Sequence, residues 1–112
     1  MIASMTPADN STDGAALARL AASGADLSVL HRFEFHLYFP TQFTADEAAL
    51  KLEALAFATT VSQDTRQNRW QVLGVKRMYP VESDLQGLRD KLQVIATEGR
   101  GRYEGWLAKA VR

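Results

Sequence analysis

The clearest pattern of hydrophobic and polar positions lies in residues 32–40, where the two kinds of residue alternate. A period of two residues is typical of a β-strand that has one face in the core and the other in solvent. Pro40 interrupts the pattern and ends the predicted strand. The polar positions, which the pattern places on an open face, are Arg32, Glu34, His36 and Tyr38, and the apolar positions are Phe33, Phe35, Leu37 and Phe39.

The stretch before this strand predicts a short first helix from Ala15 to Ser23. Asp13 can cap the first amides of that helix, and Gly24 supplies a left-handed stop at its end. Residues 1–12 are polar and contain Pro, Ser, Thr and Asn, so we expect a flexible tail there and a single domain over residues 13–112. The apolar side of the helix consists of Leu17, Leu20 and Ala21.

Two longer helices are predicted by apolar stripes that each follow a capping box. The boxes are Thr44 with Glu47 and Ser83 with Gln86. In such a box the two side chains satisfy backbone amides that the first helical turn leaves free. The stripes have the spacing of a core-facing helix side. They comprise Ala45, Ala48, Ala49, Leu52 and Leu55 in the second helix and Leu85, Leu88, Leu92, Ile95 and Ala96 in the third.

A hairpin is predicted between these two helices. Phe57–Val61 and Trp70–Tyr79 are rich in β-branched, aromatic and aliphatic residues and flank the polar turn Ser62–Asn68. The inward phase of the second strand changes near Gly74, which favours a bulge there. Tyr103–Ala108 has the composition of a last strand.

The predicted order is therefore an introductory helix followed by β-α-β-β-α-β. Strands with one apolar face, together with helices that have one apolar stripe, favour a four-stranded antiparallel sheet with helices packed on one side. This is a ferredoxin-like α+β sandwich. The other face of such a sheet is open to solvent.

Composition limits the compartment and the chemistry. The 112 residues include no cysteine, which excludes disulfides, thiolate zinc sites and cysteine nucleophiles. No stretch approaches the roughly 20 apolar residues of a membrane span, so we expect a cytoplasmic protein without membrane contact. Residues 1–64 carry 3 basic and 8 acidic side chains, and residues 65–112 carry 10 basic and 5 acidic ones. Because the two halves interleave in the fold, this asymmetry is weak evidence for nucleic-acid binding.

The sequence does not contain the usual groups of an enzyme site. The two histidines, His31 and His36, lie outside recognised catalytic motifs. His36 and Glu34 share one strand face and have the chemistry of an acid–base or metal pair, but a surface histidine beside a carboxylate is usually only solvated. There is no Walker phosphate loop and no G-x-G-x-x-G motif. We therefore expect no catalytic residue, no metal site and no cofactor.

Several features bear on nucleic-acid binding. The glycines of Gly99–Arg102 are most simply a helix C-cap and a turn, whereas its arginines have an alternative role in binding phosphates or an acidic peptide. An RNA-recognition motif has the same element order, but its third strand carries a basic-glycine-aromatic pattern that Arg69–Met78 lacks. Trp70, Tyr103 and Trp106 fit core packing better than base stacking. No direct binding of nucleic acid is expected.

Three short segments resemble a known family, in the same order along the chain. They are Gly24-Ala25-Asp26 at the end of Leu20–Asp26, the strand Phe33-Glu34-Phe35-His36-Leu37, and the terminal Tyr103-Glu104-Gly105-Trp106. The family is the bacterial regulator of ribonuclease activity B, described as a protein inhibitor of ribonuclease E. The resemblance covers roughly residues 13–107, and the Tyr-acid-Gly-Trp run is its most specific element.

The resemblance implies a ferredoxin-like fold, in agreement with the element pattern, and a non-catalytic function. Members of the family bind ribonuclease E, chiefly its poorly structured C-terminal scaffold, and so alter RNA decay. The best-known type of member carries a strongly acidic C-terminal extension, whereas this sequence runs through Lys109 to Arg112 with balanced overall charge. Weaker electrostatic attraction to a basic scaffold is therefore expected.

The alternation of side chains along the first strand predicts a partner-binding surface on the open sheet face. It would consist of Glu34, His36 and Tyr38 from the first strand and Trp106 from the neighbouring last strand. The expected partner is a protein, ribonuclease E or a related RNA-decay component. Two alternatives remain: a small-molecule-binding or weakly catalytic domain with a pocket near His36 and Trp70, and binding of single-stranded RNA by the basic second half.

Overall fold

The elements follow the predicted order, a helix and then β-α-β-β-α-β. The computed structural model describes residues 9–112, with side chains from residue 13. Of the tail predicted for residues 1–12, residues 1–8 lie outside the described residues. Residues 9–12 belong to the first helix. None of the described helices is long and apolar enough to cross a membrane. The elements are α1 (Asp9–Ala22), β1 (His31–Phe39), α2 (Gln42–Ala54), β2 (Ala58–Asp64), β3 (Arg69–Met78), α3 (Glu82–Glu98) and β4 (Arg102–Ala108).

The four strands form one antiparallel sheet in the order β2-β3-β1-β4. β1 is central, with Phe35 opposite Gly74 of β3 on one side and opposite Trp106 of β4 on the other. α2 packs against β2 and β3, α3 packs against β4, and α1 packs against α3. This strand order and connectivity are those of a ferredoxin-like sheet. The predicted α+β class is confirmed.

The side chains of β1 alternate between buried and more exposed positions, as the sequence pattern predicts. Burial of each large apolar side chain stabilises the fold by roughly 1.5–3 kcal/mol. Each predicted helix stripe departs from full burial at one position, since Ala21 is exposed and Leu55 and Leu88 are half-buried. The large side chains at the centre of the core are Phe33, Phe35, Leu37, Phe39 and Val72 of the sheet and Leu52, Leu85 and Leu92 of the helices.

The helices begin earlier than predicted. α1 already contains Asp13, which is therefore not its N-cap. α2 is capped by Thr41, whose Oγ1 accepts a hydrogen bond of 3.1 Å from the Thr44 amide. α3 begins after Val81 without a side-chain cap. The capping boxes predicted at Thr44 and Ser83 are wrong, because hydroxyl and acidic residues also occur inside a first turn, where acidic ones favour the helix dipole.

The hairpin of β2 and β3 is confirmed, with a shorter turn than predicted and no bulge at Gly74. β2 continues to Asp64, and its pairing with β3 runs without interruption to Arg69. Gly74 keeps the phase of Val72 and is buried on the core side. A Cβ at this position would lie 3.1 Å from the ring of Phe57. The glycine therefore makes room for an aromatic ring within a regular strand.

α3 ends where the glycines predict, but the left-handed residue at its end is an arginine. Arg100 has a φ of 59°. The Gly101 amide donates to the Ala96 carbonyl (2.7 Å) and the Arg100 amide donates to the Thr97 carbonyl (3.0 Å), which are the two bonds of a Schellman motif. Gly101 is required for a different reason, because a Cβ there would collide with the carbonyl oxygen of Tyr38.

His31 holds the C-terminal segment against the loop that follows α1. It is 1% exposed; its Nδ1 donates to the Val29 carbonyl (3.0 Å), and its Nε2 accepts from the Val111 amide (3.1 Å). The Val111 carbonyl in turn accepts from the Asp26 amide at 2.7 Å. Gly24, with a φ of 99°, ends α1 as predicted. Both ring nitrogens of His31 are thus committed to structural hydrogen bonds.

Candidate partner-binding surface

Three of the four side chains predicted for the partner surface lie together on the open face of the sheet. Glu34, His36 and Tyr38 are half-buried and alternate with the buried apolar side chains of β1. The helices pack on the other face, where those apolar side chains point. The β3 residues directly opposite the three are Val75, Leu73 and Gln71.

Arg69 connects side chains of this face across the whole sheet. Its guanidinium lies over the Tyr38 ring, 3.5 Å from the ring centroid. Its Nε donates to Oδ2 of Asp64 (3.1 Å) and its Nη1 donates to Oε2 of Glu104 (3.0 Å). The hydrogen bond from Arg69 holds the pKa of Asp64 below its ordinary value. One arginine of β3 therefore orders side chains of β1, β2 and β4.

Gln71 orients His36. Its Nε2 donates to the Tyr38 hydroxyl (3.1 Å) and lies 3.0 Å from Nδ1 of His36. Since the amide nitrogen is a donor, Nδ1 is assigned as the acceptor and Nε2 carries the ring proton. Nε2 is buried and has no hydrogen-bond partner among the described residues. His36 also lines a cavity of about 310 Å³.

His36 and Glu34, which share a strand face, do not pair with each other, as the interpretation of the sequence favoured. The carboxylate of Glu34 is ion-paired with Arg32 instead. Within residues 13–112 no group of three or more His, Asp or Glu side chains is arranged to hold a metal ion. The open face therefore offers hydrogen bonds, charge and apolar surface rather than an acid–base pair.

Trp106, the fourth predicted residue, lies on the helix-covered face. It is opposite Phe35 in the sheet. Its ring packs edge-on against Phe33, with centroids 5.0 Å apart and ring planes at 65°. Its Nε1 donates a hydrogen bond of 3.0 Å to Oδ1 of Asp13 in α1. The prediction that Trp106 lies on the open face is wrong.

A bulge in β4 explains why strand phase misplaced Trp106. Tyr103 and Trp106 are opposite two buried residues of β1, so that Glu104 and Gly105 together oppose His36. Gly105 has a φ of 103°, a conformation that is accessible without steric cost only to glycine. The extra residue turns Tyr103 and Trp106 to the same face, although a spacing of three places residues on opposite faces of a regular strand.

The contact between Trp106 and Asp13 belongs to a buried polar cluster between α1, α3 and β4. Asp13 is 3% exposed, and its Oδ2 lies 3.5 Å from Nη1 of Arg89. Burial, with a contribution from the Asp13 carboxylate, raises the pKa of Tyr103. These side chains line a cavity of about 470 Å³. Sequence reasoning missed this role, because Asp13 at the start of an apolar stripe has the appearance of a helix cap.

The Tyr-Glu-Gly-Trp run is thus a bulge of β4. The resemblance to a known family also extends beyond this and the other short segments. The family model described as regulator of ribonuclease activity B matches residues 10–107, nearly the whole chain. The chain belongs to this family. No curated protein matches the chain.

The segments that carry the likeness to the RraB family have structural roles in this member. Gly24-Ala25-Asp26 forms the loop that binds the C-terminal segment. The strand β1 supplies the centre of the core, and the bulge at Gly105 directs Trp106 to Asp13. The buried residues of the family pattern therefore maintain the fold, whereas Glu34 and His36 of the same pattern lie on the open face.

Two open-face residues of this RraB family member, Arg69 and Gln71, escaped sequence reasoning. The bulge predicted at Gly74 left the phase of β3 undefined, and the observed regular phase places both on the open face. The same phase puts Trp70 on the core side, opposite Phe39. His36 and Trp70 are thus on different faces, and the pocket expected near both does not form.

Proposed function

We propose that this RraB family member is a non-catalytic, protein-binding regulator of RNA decay that acts in the cytoplasm by binding ribonuclease E or a related RNA-decay component. The family assignment supports the regulatory role, since the family is described as a regulator of ribonuclease activity. The partner and its docking surface are the added steps. The partner follows from the family resemblance, and the docking surface rests on the open sheet face.

The observation that carries the proposal is the ordered side-chain network of that face. Arg69 holds Tyr38, and Gln71 holds both Tyr38 and His36. Side chains that are already fixed lose less conformational entropy on association. Nε2 of His36 is buried and has no hydrogen-bond partner in the described residues; a partner that displaces the covering side chains and accepts from Nε2–H would satisfy a polar group that otherwise stays unpaired.

The charges of this face support binding rather than catalysis. Hydrolysis by paired carboxylates or by an activated nucleophile requires a group that is free to take or give a proton. The carboxylates here are held in ion pairs with arginines and are not free to act in this way. The pairs are Glu34 with Arg32, Asp64 with Arg69, and Glu104 with Arg69.

A pull-down of the tagged protein from a lysate of its own bacterium tests the proposal, with ribonuclease E and its scaffold fragment probed specifically. Enrichment that survives nuclease treatment would support a protein–protein regulator. The double variant His36→Ala/Tyr38→Ala should lose the enrichment. Phe43→Ala is the matched control, because this aromatic side chain is 70% exposed on α2. Trp106 contributes by holding β4 in place, so its variants should act through stability.

Two outcomes would count against the proposal in different ways. Absence of ribonuclease E from the enriched proteins contradicts the proposed partner. Unchanged enrichment in the His36→Ala/Tyr38→Ala variant contradicts the proposed surface and moves the docking site elsewhere on the chain.

The second candidate function, small-molecule binding, is favoured by the cavity of about 470 Å³ beside Asp13. The buried Asp13 and the half-buried Tyr103 are polar groups in its wall, as in many ligand pockets. A thermal-shift screen of metabolites tests it, because a ligand at about 100 times its dissociation constant stabilises a protein by roughly 2.7 kcal/mol. A hit that Asp13→Asn abolishes would support this function, and a screen without hits would argue against it.

A further inference from the structure

Basic side chains form a row at one end of the open face. Arg32 of β1 and Arg77 of β3 are directly opposite each other. On the other side of β1, Ala108 of β4 is opposite Phe33. Because the two strands are antiparallel, Lys109, which follows Ala108, lies beside Arg32. Like charges directly opposite in a sheet repel. The neighbouring charges of this row, which we call the basic row, therefore do not stabilise the sheet through contacts with one another.

The carboxylates of the open face neutralise only one charge of the basic row. Asp64 and Glu104 are both paired with Arg69 at the far end of the face, and Glu34 is paired with Arg32. Over residues 13–112, Arg77 and Lys109 have no ion-pair partner, and both are exposed. Two positive charges of the row are therefore available to a partner.

A groove of about 430 Å³ lies beside the row and has an apolar component. Leu107 and Val111 line it and are 63% and 39% exposed. Arg32, Glu34 and Lys109 complete its wall. The groove therefore combines exposed aliphatic surface with excess positive charge, a pattern that fits an acidic peptide containing large apolar side chains.

We infer that the basic row and this groove bind an acidic, extended segment of a protein partner, with an apolar side chain of the segment between Leu107 and Val111. The inference rests on the proposed function, since it gives the chemistry of the partner segment that the open face receives. The segment's carboxylates pair with Arg77 and Lys109. A basic segment of the same partner would not bind at this end of the face.

The open face is less suited to single-stranded RNA. Sequence-tolerant binding of single strands depends on aromatic rings on which bases stack. The Tyr38 ring, which β1 places on this face, has the Arg69 guanidinium 3.5 Å from its centroid. One side of that ring is thus already occupied, and Trp106 points to the helices.

Fluorescence anisotropy with synthetic probes tests the inference on the full chain. The probes are a labelled peptide of alternating glutamate and leucine, the same peptide with lysine in place of glutamate, and a labelled uridine oligonucleotide. The double variant Arg77→Glu/Lys109→Glu reverses the row. Arg66→Glu/Lys91→Glu is the matched control, because it changes the net charge equally at exposed positions in the β2–β3 turn and on α3.

We expect the glutamate–leucine peptide to bind the wild type. Binding should be roughly tenfold weaker after reversal of the row, because the peptide's carboxylates then face like charges, and within about twofold of the wild type in the control. Raising the salt to about 0.3 M should weaken it. Absence of binding, equal binding of the lysine peptide, equal loss in both variants, or tighter binding of the oligonucleotide that depends on the row would each overturn the inference.

The pull-down of ribonuclease E separates this inference from the proposed function. If the wild type and Arg77→Glu/Lys109→Glu capture ribonuclease E equally, the proposed regulator role stands and the inferred binding of an acidic segment is wrong. If the peptide binds in a way that depends on the basic row but ribonuclease E is not captured, the acidic-segment site stands and the proposed partner is wrong.

Discussion

The indole Nε1 of Trp106 donates a hydrogen bond of 3.0 Å to Oδ1 of Asp13, a residue 93 positions earlier in the chain. This bond joins the last strand to the first helix. It depends on the bulge at Gly105, which turns Trp106 to the helix-covered face. The contact explains why a tryptophan near the end of the chain lies in a polar environment.

We predict that Trp106→Phe destabilises the protein by about 1–3 kcal/mol, because the buried carboxylate of Asp13 loses a donor. In a double-mutant cycle with Asp13→Ala, urea unfolding should give a coupling energy of about 1.5–3 kcal/mol, the range for a hydrogen bond to a charged group. Asp13→Asn keeps the acceptor and is the milder control. Additive effects of the two substitutions would show that the bond contributes little.

The two glycines at positions 101 and 87 should respond oppositely to alanine. A Cβ at Gly101 meets the carbonyl oxygen of Tyr38, and a Cβ at Gly87 has no atom within 4 Å. Gly101→Ala should therefore cost about 1–3 kcal/mol through forced backbone movement. Gly87→Ala should stabilise helix α3 by about 0.5–1 kcal/mol.

Thermal unfolding of the two glycine variants, followed by circular dichroism, measures both effects with the same chemical change. A Gly101→Ala protein as stable as the wild type would mean that β4 can move away from β1 without cost. That result would contradict the tight pairing described here.

Acid sensitivity should depend on Arg69. Its hydrogen bond lowers the pKa of Asp64 in the folded state, so the stabilisation is present above the unfolded pKa, at about 4, and is lost as the pH falls through the folded pKa. In Arg69→Gln we expect the pKa of Asp64 to rise toward its ordinary value. Stability should then fall less steeply below about pH 4.

Carboxyl carbon shifts in an NMR titration report the pKa of Asp64 directly. Asp26 is an internal reference, since hydrogen bonds from Ser28 lower its pKa independently of Arg69. A pKa of Asp64 that stays low in the Arg69→Gln variant would assign its shift to another cause. Movement of both residues would indicate a general structural change.

Several features of the fold could be predicted because they depend on neighbours in sequence. The alternation in β1 and the apolar stripes of α2 and α3 are local patterns, and the structure bears them out. The likeness to the RraB family could also be recognised locally, because short segments of the sequence carry it. The first capping residues were less predictable, since Thr41 and Thr44 both have hydroxyls in the correct region and only backbone geometry distinguishes them.

The proposed partner surface was predictable only in part. Glu34, His36 and Tyr38 belong to one regular strand, so their common face follows from a period of two. Arg69 belongs to a strand in which Gly74 suggested a bulge. Trp106 follows a real bulge that no alternation in the sequence reveals.

The sequence by itself determined the order of the elements, the apolar side of most of them and the family, because these properties depend on residue types at short spacings along the chain. The tertiary structure alone decided which face Trp106 occupies, that Asp13 is its acceptor, and that Arg77 and Lys109 flank Arg32. Strand register and bulges arise from pairing between distant segments, and the free energy of that pairing depends on both partners at once.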